Sequence, residues 1–422
     1  MAQHPTDPSE QSRSCDVLVV GAGLAGLACA ADLGAAGLSV RLLEGSDAVG
    51  GRMRTDRRDG FLLDRGFQVL NTSYPQIKRR VDLRALRARP FTPGVLVRTP
   101  GGTERFTDPT RAPGSAGDLL PGRLASARDL LALGVLTGRD LLGPVGALKR
   151  RPDRTTLTEL ADAGISEELV EKLFRPFLSG VFLEDELETS SRFFHLVWRS
   201  MLRGTSCLPA DGIGAVPAQL AAGLPPGVLR LDSPVREVTD DGVLGEDGTE
   251  WAAPAVVVAT DASAAARLLP GLAVPPTRTV TTYYHASGVP PLREGVLMVD
   301  TAGRFLNTCV LSEVTPTCAP AGRALVSTSV LGADRPGREA ELRTHLSEAY
   351  GVGTDDWEPV AAYTVEGALP AMPAPWPLSR TSRTGAGRYV CGDHRATGSV
   401  QGALASGTRA AREVLADVAA RR

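Results

Sequence analysis

Residues 16–26 read Asp16-Val17-Leu18-Val19-Val20-Gly21-Ala22-Gly23-Leu24-Ala25-Gly26, and this stretch decides the fold. Its apolar run predicts a strand that is buried on both faces. The Ala- and Leu-rich segment 24–36 predicts a helix that ends near Gly37, and residues 39–43 supply a second strand. Together they form a βαβ unit, with a Gly-x-Gly-x-x-Gly motif between the first strand and the helix.

This motif predicts a dinucleotide-binding site. Gly21 permits the tight turn, Gly23 lets the backbone approach a pyrophosphate, and Gly26 allows the helix to pack closely on the strand. The helix N-terminus adds free N–H groups and a positive dipole end. Glu44 ends the second strand, 18 residues after Gly26, where an acid accepts hydrogen bonds from a ribose diol and disfavours a 2′-phosphate. The candidate residues are Gly21, Gly23, Leu24, Ala25, Gly26 and Glu44.

A second glycine-rich segment, Gly50-Gly51-Arg52, follows the βαβ unit. Gly51 allows a close backbone approach, and Arg52 is suited to neutralise a phosphate bidentately. With this segment the sequence resembles the flavin-containing amine oxidase superfamily, which includes amine oxidases, protoporphyrinogen oxidases and phytoene desaturases. The resemblance implies that the first glycine motif, the acid after the second strand and the Gly-Gly-Arg segment together bind FAD.

The resemblance continues further along the chain. Residues 60–68 look like the superfamily's Gly-Phe-x-x-Asp-x-Gly segment, which implies that Gly66 and Phe67 lie near the flavin. Residues 208–214 are similar to its Pro-x-Gly-Gly stretch, although Asp211 replaces the first glycine. Val235 occupies the position where the superfamily's backbone usually meets the adenine portion of FAD.

The C-terminal segments 388–393 and 398–407 also resemble the superfamily. Gly392-Asp393 implies an acid that contacts the ribityl or diphosphate region. The backbone N–H groups near Val400, at a predicted helix start, would face the pyrimidine edge of the flavin and favour negative charge on the reduced ring. No thioether motif is apparent, so the FAD is expected to be bound non-covalently.

The resemblance implies a mixed α/β fold, with a Rossmann-type, NAD(P)-binding-like FAD domain built from discontinuous segments and an interleaved substrate domain of antiparallel sheet and helices. Strand signals at 279–285, 295–299 and 323–330, a helix at 338–350 and a largely helical region at 86–204 fit that second domain. The predicted boundaries are a disordered leader at 1–14, an FAD domain at 15–85, 205–270 and 370–422, and a substrate domain at 86–204 and 271–369.

Composition excludes several other classes of protein. A formal net charge of −2 over 422 residues offers no field that would favour nucleic acid. The six cysteines are scattered without metal-ligand spacing, so neither a metal site nor a disulfide framework is predicted. The polar N-terminus has no apolar core of a signal peptide, and no apolar run reaches about 18 residues. These features predict a cytoplasmic protein whose partner is a small molecule.

The class of substrate is inferred from the single dinucleotide motif and from the residue types of the later half of the chain. Only one Gly-x-Gly-x-x-Gly is present, so electrons are expected to come from the substrate, with hydride passing to the flavin as the resemblance implies. Many amine oxidases of the superfamily place a lysine near the flavin, but no lysine follows Lys172, and Gly392-Asp393 looks more like the desaturase branch. We therefore expect hydride removal from an apolar, isoprenoid- or carotenoid-like molecule. The electron acceptor is left open.

Three other functions stay open at this point. A flavin amine oxidase that acts on a small amine would share every FAD motif, and so would a catalytically idle flavin-binding protein. A nicotinamide-dependent dehydrogenase would share only the first motif and Glu44, and it would leave the C-terminal segments unexplained.

The catalytic residues are not identified by the sequence. His394 and Arg395, which follow Asp393, and His285 are the polar candidates near the flavin, although a structural or surface role suits each of them as well. The apolar stretch 130–148, interrupted by Arg139 and Asp140, either belongs to a buried core or forms a lipid-facing substrate entrance. With a lipophilic substrate, this stretch predicts a peripheral membrane contact.

Overall fold

The computed structural model describes residues 14–107 and 125–421. The strands are β1 (Val17–Val20), β2 (Val40–Leu43), β3 (Thr55–Arg58), β4 (Phe61–Asp64), β5 (Leu70–Asn71), β6 (Arg89–Pro90), β7 (Val95–Thr99), β8 (Gly102–Phe106), β9 (Ser206–Leu208), β10 (Leu229–Arg230), β11 (Val235–Val238), β12 (Gly242–Gly245), β13 (Glu250–Ala252), β14 (Ala255–Val258), β15 (Thr277–Ser287), β16 (Leu297–Asp300), β17 (Asn307–Val310), β18 (Ala324–Leu331), β19 (Glu358–Pro370), β20 (Arg383–Gly385) and β21 (Arg388–Val390).

The α-helices are α1 (Leu24–Ala35), α2 (Pro75–Arg80), α3 (Ala127–Leu142), α4 (Val145–Arg150), α5 (Thr156–Asp162), α6 (Glu167–Leu169), α7 (Arg175–Phe182), α8 (Ser191–Arg203), α9 (Ala215–Ala222), α10 (Ala262–Leu268), α11 (Leu311–Val314), α12 (Arg338–Tyr350) and α13 (Val400–Arg421). A π-helical turn, Val170–Phe174, joins α6 to α7. The predicted leader at 1–14 lies outside the described residues, apart from Ser14. That residue forms a β-bridge with Ala252, and the boundary of the leader stays a prediction.

The first of the two large sheets has six strands in the order β10-β2-β1-β14-β21-β20. β1 is parallel to β2 and to β14, and β14 is parallel to β21. Helices α1 and α13 pack together on one face, and α10 with the small β11-β12-β13 sheet covers the other face. The predicted βαβ unit is confirmed, and the sheet draws its strands from three separated parts of the chain, as the predicted fold class requires.

The second large sheet has seven strands in the order β19-β15-β18-β17-β16-β7-β8. Its neighbours are antiparallel except for β16 and β7. Because side chains alternate along a strand, one face packs against α12 and the opposite face packs beneath the helices between α3 and α8. The predicted helix at 338–350 has the same bounds in the structure. The interleaved antiparallel sheet and helices are therefore confirmed.

Strands β7 and β8 lie in the first part of the region 86–204, ahead of its helices, and the expectation of a largely helical region did not include them. Residues 95–106 form a hairpin at the edge of the seven-stranded sheet, and β7 pairs in parallel with β16. The apolar Val95-Leu96-Val97 and the turn at Pro100-Gly101 were signals for this hairpin. No helix in the described part of the chain is long and apolar enough to cross a membrane.

Candidate functional site

A cavity of about 1460 Å³ runs from the C-terminal edge of the six-stranded sheet to the helices above the seven-stranded sheet. Ligand pockets usually measure about 300–1,000 Å³. This cavity can therefore hold a large cofactor and a substrate together.

The three glycines of the first motif do different things at one end of the cavity. Gly21 has φ +100°, and a Cβ there would lie 3.0 Å from the carbonyl oxygen of Ala259. A Cβ on Gly26 would lie 1.9 Å from the carbonyl oxygen of Gly21, so the helix could not pack where it does. Gly23 lines the cavity, and a Cβ there would meet nothing within 4 Å. Gly21 and Gly26 are thus required for the turn and for the packing of the helix, whereas the missing side chain of Gly23 leaves room for a ligand.

Helix α1 starts at this open space. Its N-cap residue Gly23 provides no side-chain cap, so the first N–H groups of the helix lack a side-chain acceptor. Leu24 and Ala25, in the first turn, line the cavity. Unpaired N–H groups at the positive end of a helix dipole form a site for a phosphate group.

Glu44 is held in a fixed position beside this site. Its Oε2 accepts a hydrogen bond from the backbone N–H of Ala22 at 2.6 Å, and its Oε1 accepts from the N–H and Oγ of Ser46 at 3.0 and 2.7 Å. Glu44 and Val235 both line the cavity. The carboxylate is thereby pre-oriented, and its contact with a ribose stays a prediction.

Arg52 and Asp393 form an ion pair on the cavity wall. The guanidinium Nη2 lies 2.8 Å from Asp393 Oδ1, and Nη1 donates to the carbonyl oxygen of Ala368 at 2.7 Å. The Asp393 carboxylate raises the pKa of Arg52. The guanidinium therefore holds Asp393 against the end of β19, and the predicted contact of Arg52 with a phosphate stays a prediction.

His394 is a buried polar group without a partner. The residue belongs to the cavity lining and is 1% exposed, and neither ring nitrogen has a hydrogen-bond partner among the described residues. Burial lowers the pKa of His394 to about 4, so the imidazole is neutral at neutral pH and offers one donor and one acceptor. We call the open space at Gly23 and the start of α1 the glycine cradle. The unpaired imidazole, this cradle and the N–H groups in the first turn of α1 fit a dinucleotide such as FAD.

Two catalytic candidates lie outside the cavity lining. His285 is on the face of β15 that packs against α12, where its Nε2 is hydrogen-bonded to Glu339 at 3.0 Å. Arg395 points away from the cavity and donates to the carbonyl oxygen of Thr381 at 2.7 Å. Side chains alternate along β15, so His285 lies on the face opposite Thr282. Arg395 directly follows His394 in the 3₁₀ turn Asp393–Arg395, and its side chain extends to Thr381. Both residues have their contacts outside the cavity lining, and a catalytic role for either of them stays a prediction.

The structure brings most of the predicted cofactor residues to one continuous wall. Gly26 and Gly392 are the exceptions, because they support the turns behind that wall; a Cβ on Gly392 would lie 2.5 Å from the His394 ring. The predicted residues that line the cavity are Gly21, Gly23, Leu24, Ala25, Glu44, Gly51, Arg52, Gly66, Phe67, Val235, Asp393 and Val400.

The opposite end of the cavity has a different character. Among the described residues of α3, α7, α8, β7, β16 and their adjoining turns that line it, none carries a charge. Its aromatic members are Phe91, Phe106, Phe174, Phe177, Phe193 and Trp198. Phe193 and Val197 of α8 line the cavity and also belong to the apolar core beneath it.

Polar but uncharged side chains also line this region, among them Thr107, Thr137 and the buried Asn307. Asn307 is 5% exposed, lines the cavity, and its Oδ1 has no hydrogen-bond partner. It pairs across β17 and β18 with Ser329, whose Oγ lies 2.9 Å from Thr282 Oγ1, and the N–H of Phe67 donates to that Thr282 oxygen at 3.2 Å. A polar row therefore leads from Phe67 to Asn307. Nothing in the sequence around Asn307 distinguishes it from an ordinary strand residue.

Comparison with known proteins gives one family match over most of the chain and solved structures of similar fold. Residues 24–415 match the model of a family described as flavin containing amine oxidoreductase. A cyclohexylamine oxidase from Brevibacterium oxydans superposes with a TM-score of 0.66, at 19% identity over 96% of this chain and 99% of that one. That likeness concerns the fold.

Two curated relatives match over shorter segments. A coproporphyrinogen III oxidase from Propionibacterium freudenreichii is 27% identical over 185 residues, which are 42% of this chain and 33% of the relative. A 4,4'-diapophytoene desaturase from Staphylococcus haemolyticus is 50% identical over 50 residues, which are 12% of this chain and 10% of the relative. The matched segments thus span a third or less of these relatives.

Proposed function

The chain belongs to the flavin containing amine oxidoreductase family, and from that premise we propose that this FAD-dependent oxidoreductase removes a hydride equivalent from an apolar, isoprenoid-like molecule. The observation that supports the proposal is the uncharged wall at the far end of the cavity. Matching an apolar substrate to that wall releases water from both surfaces, at about 25 cal/mol for each Å² of apolar surface buried.

An amine substrate is less compatible with this wall. An ammonium group taken out of water needs a carboxylate or another anion beside it, since an unpaired buried charge is costly. The described residues at the far end offer neither, and no lysine lines any part of the cavity. The acidic residues that line the cavity are Glu44, Glu246, Asp261, Glu366 and Asp393, and none of them lies on the elements of the far end.

FAD, when bound, supplies the acceptor for the two electrons of the hydride. The residues of the chain contribute positioning and the exclusion of water. Phe174, Phe177 and Trp198 enclose the far end, so that an apolar chain lies in a dry site where its reacting carbon can be held in one orientation. Asn307 offers one acceptor within reach of that space, which suits a substrate with a single hydroxyl or amide-like donor.

The match to a coproporphyrinogen III oxidase favours a second candidate, a porphyrinogen ring. A porphyrinogen is large and largely apolar, so the size of the cavity suits it. Its acidic side chains, however, would meet a wall without cations among the described residues of the far end. The apolar hydrocarbon therefore stands first.

Anaerobic mixing of the holoenzyme with a panel of substrates tests the proposal. We expect bleaching of the flavin absorbance with polyene or polyprenyl substrates in mixed micelles, and none with small amines. Val181 on the wall of α7 permits a matched pair, Val181→Asp and Val181→Asn, which differ in charge and not in shape. Asp should slow the apolar substrate more than Asn does. Faster reduction by amines in Val181→Asp, or bleaching of the wild type by amines alone, would overturn the proposal.

A further inference from the structure

Helices α3 and α4 present an unusual apolar surface. Among the described residues, six large hydrophobic side chains are substantially exposed, and four of them lie on these two helices. Leu131 is 70% exposed, Val135 65%, Leu142 84% and Val145 43%. Exposed apolar groups are ordinary when scattered, but a contiguous patch marks an interaction site.

The spacing of these residues places them on one side of α3. At about 100° per residue, Leu131, Val135 and Leu142 fall within roughly 40° of one another. The buried residues of the same helix, Asp129, Leu133, Leu136 and Asp140, fall on the opposite side. We call the row formed by Leu131, Val135, Leu142 and Val145 the apolar stripe.

The apolar stripe lies on α3 beside residues that line the cavity. Leu130, Gly134 and Thr137 line the cavity, and on the helix they lie between the buried side and the stripe. Gly134 is both exposed and part of the cavity wall. An apolar molecule that rests on the stripe is therefore one helix width from the uncharged end of the cavity.

The exposed charges on α3 and α4 themselves are positive, while Asp162, Glu167 and Glu168 are exposed on the neighbouring segment that contacts α3 through Ser166 and Gly164. Arg128, Lys149 and Arg150 are exposed on α3 and α4. The acids of α3 are buried, since Asp129 accepts from Ser126 and Ser166, and Asp140 contacts His195. Apolar side chains flanked by exposed cations are the pattern that binds a bilayer with anionic headgroups.

We propose that α3 and α4 dock on an anionic lipid surface through the apolar stripe, and that an apolar substrate enters the cavity from the bilayer beside Gly134. Docking follows from the exposed surface and does not depend on which molecule is oxidised. Entry beside Gly134 rests on the proposed function. The two statements are therefore tested by separate measurements.

Docking is measured by sedimentation of the FAD-loaded full chain with vesicles of phosphatidylcholine, alone or with phosphatidylglycerol. We expect binding that needs the anionic lipid and weakens with salt. Leu131→Ser should lower the partition coefficient about tenfold, and Leu131→Ser with Leu142→Ser about a hundredfold. Lys149→Glu with Arg150→Glu should lower it by at least about fivefold for each residue. Val289→Ser, on an equally exposed side chain elsewhere (64%), should leave it unchanged.

Three outcomes would overturn docking. One is equal binding to neutral and anionic vesicles, and another is no loss of binding in the leucine variants. The third is a wild-type dimer in light scattering that dissociates in Leu131→Ser with Leu142→Ser and binds no vesicles, because the stripe would then be an interface between two copies of the chain.

Entry is measured by anaerobic flavin reduction with the substrate embedded in anionic vesicles. A Cβ on Gly134 or on Gly138 would meet nothing within 4 Å, so Gly134→Phe and Gly138→Phe form a matched pair that the helix accommodates. When the rates are compared at equal amounts of vesicle-bound protein, we expect Gly134→Phe to slow reduction at least about tenfold and Gly138→Phe to leave it unchanged, with dithionite reduction intact in both. Equal rates in the two variants would overturn entry beside Gly134. Failure of every apolar substrate in the wild type would count against the proposed function, and vesicle binding would still report on docking.

Discussion

Exchanging two glycines of the first motif for alanine separates folding from cofactor binding. Gly26→Ala places a Cβ 1.9 Å from the carbonyl oxygen of Gly21, a distance that no packed structure tolerates. Gly23→Ala places its Cβ in the open cradle, with nothing within 4 Å in the protein. The backbone at Gly23 has φ −69° and ψ 178°, which alanine adopts without strain. One methyl group therefore disturbs the protein at one position and the cofactor at the other.

The magnitudes follow from these contacts. In helix α1, alanine gains about 0.5–1 kcal/mol over glycine, but overpacking against the β1 turn costs typically about 1–3 kcal/mol. Because backbone must move at Gly26, we expect a net loss of about 2 kcal/mol of unfolding free energy in Gly26→Ala. Gly23→Ala should cost about 0.5 kcal/mol at an N-cap. It should also weaken FAD binding by about 10- to 100-fold, since a charge-assisted hydrogen bond to phosphate contributes about 1.5–3 kcal/mol.

Two assays distinguish the variants. Urea unfolding of the FAD-free protein reports the stability, and quenching of flavin fluorescence on titration reports the affinity for FAD. We expect Gly26→Ala to shift the urea midpoint of the FAD-free protein, and Gly23→Ala to leave that midpoint nearly unchanged while it loses FAD. Wild-type FAD affinity in Gly23→Ala would refute the assignment of the cradle. An unshifted midpoint in Gly26→Ala would refute the packing argument.

Three further predictions concern buried polar groups. Asn307→Leu should leave the unfolding free energy, measured in urea, within about 1 kcal/mol of wild type, since Oδ1 has no partner to lose among the described residues. In steady-state kinetics it should raise KM for a substrate with a hydroxyl group but not for its hydrocarbon analogue, and an equal change in both KM values would contradict this. Arg52→Leu leaves the Asp393 carboxylate without its cation, which should cost about 2 kcal/mol because Arg52 is partly exposed, and Asp393→Leu in the same chain should restore part of the loss in urea unfolding. Burial raises the pKa of Asp64 from 3.8 to about 6. The stability that its protonated form contributes is therefore present below pH 3.8 and is lost as pH rises through 6. The unfolding free energy of Asp64→Asn should thus gain up to about 3 kcal/mol over that of wild type between pH 4 and pH 7, and a constant difference across that range would contradict the shift.

Local signals in the sequence determined the first βαβ unit, the position of Glu44 and the helix at 338–350. Each of these depends on residues close together in the chain: a strand followed by a glycine turn, an acid at a strand end, and helical spacing between two glycines. The cofactor end of the cavity could be read in the same way, because its residues belong to short motifs whose backbone geometry is set locally. Pairing the C-terminal Gly392-Asp393 with that end came from the resemblance and not from spacing.

Only the tertiary structure decided the rest. Arg52 meets Asp393 across 341 residues of sequence, and β7 joins β16 across about two hundred. The uncharged wall combines α3, α7 and α8 with the sheet, and the same register that turns Asn307 toward the cavity turns His285 away from it. Which side of a strand faces a cavity depends on what packs against each face, and that is a property of distant segments. The sequence by itself thus determined the cofactor fold, while packing between distant segments decided the shape of the cavity and the absence of charge among the described residues at its far end.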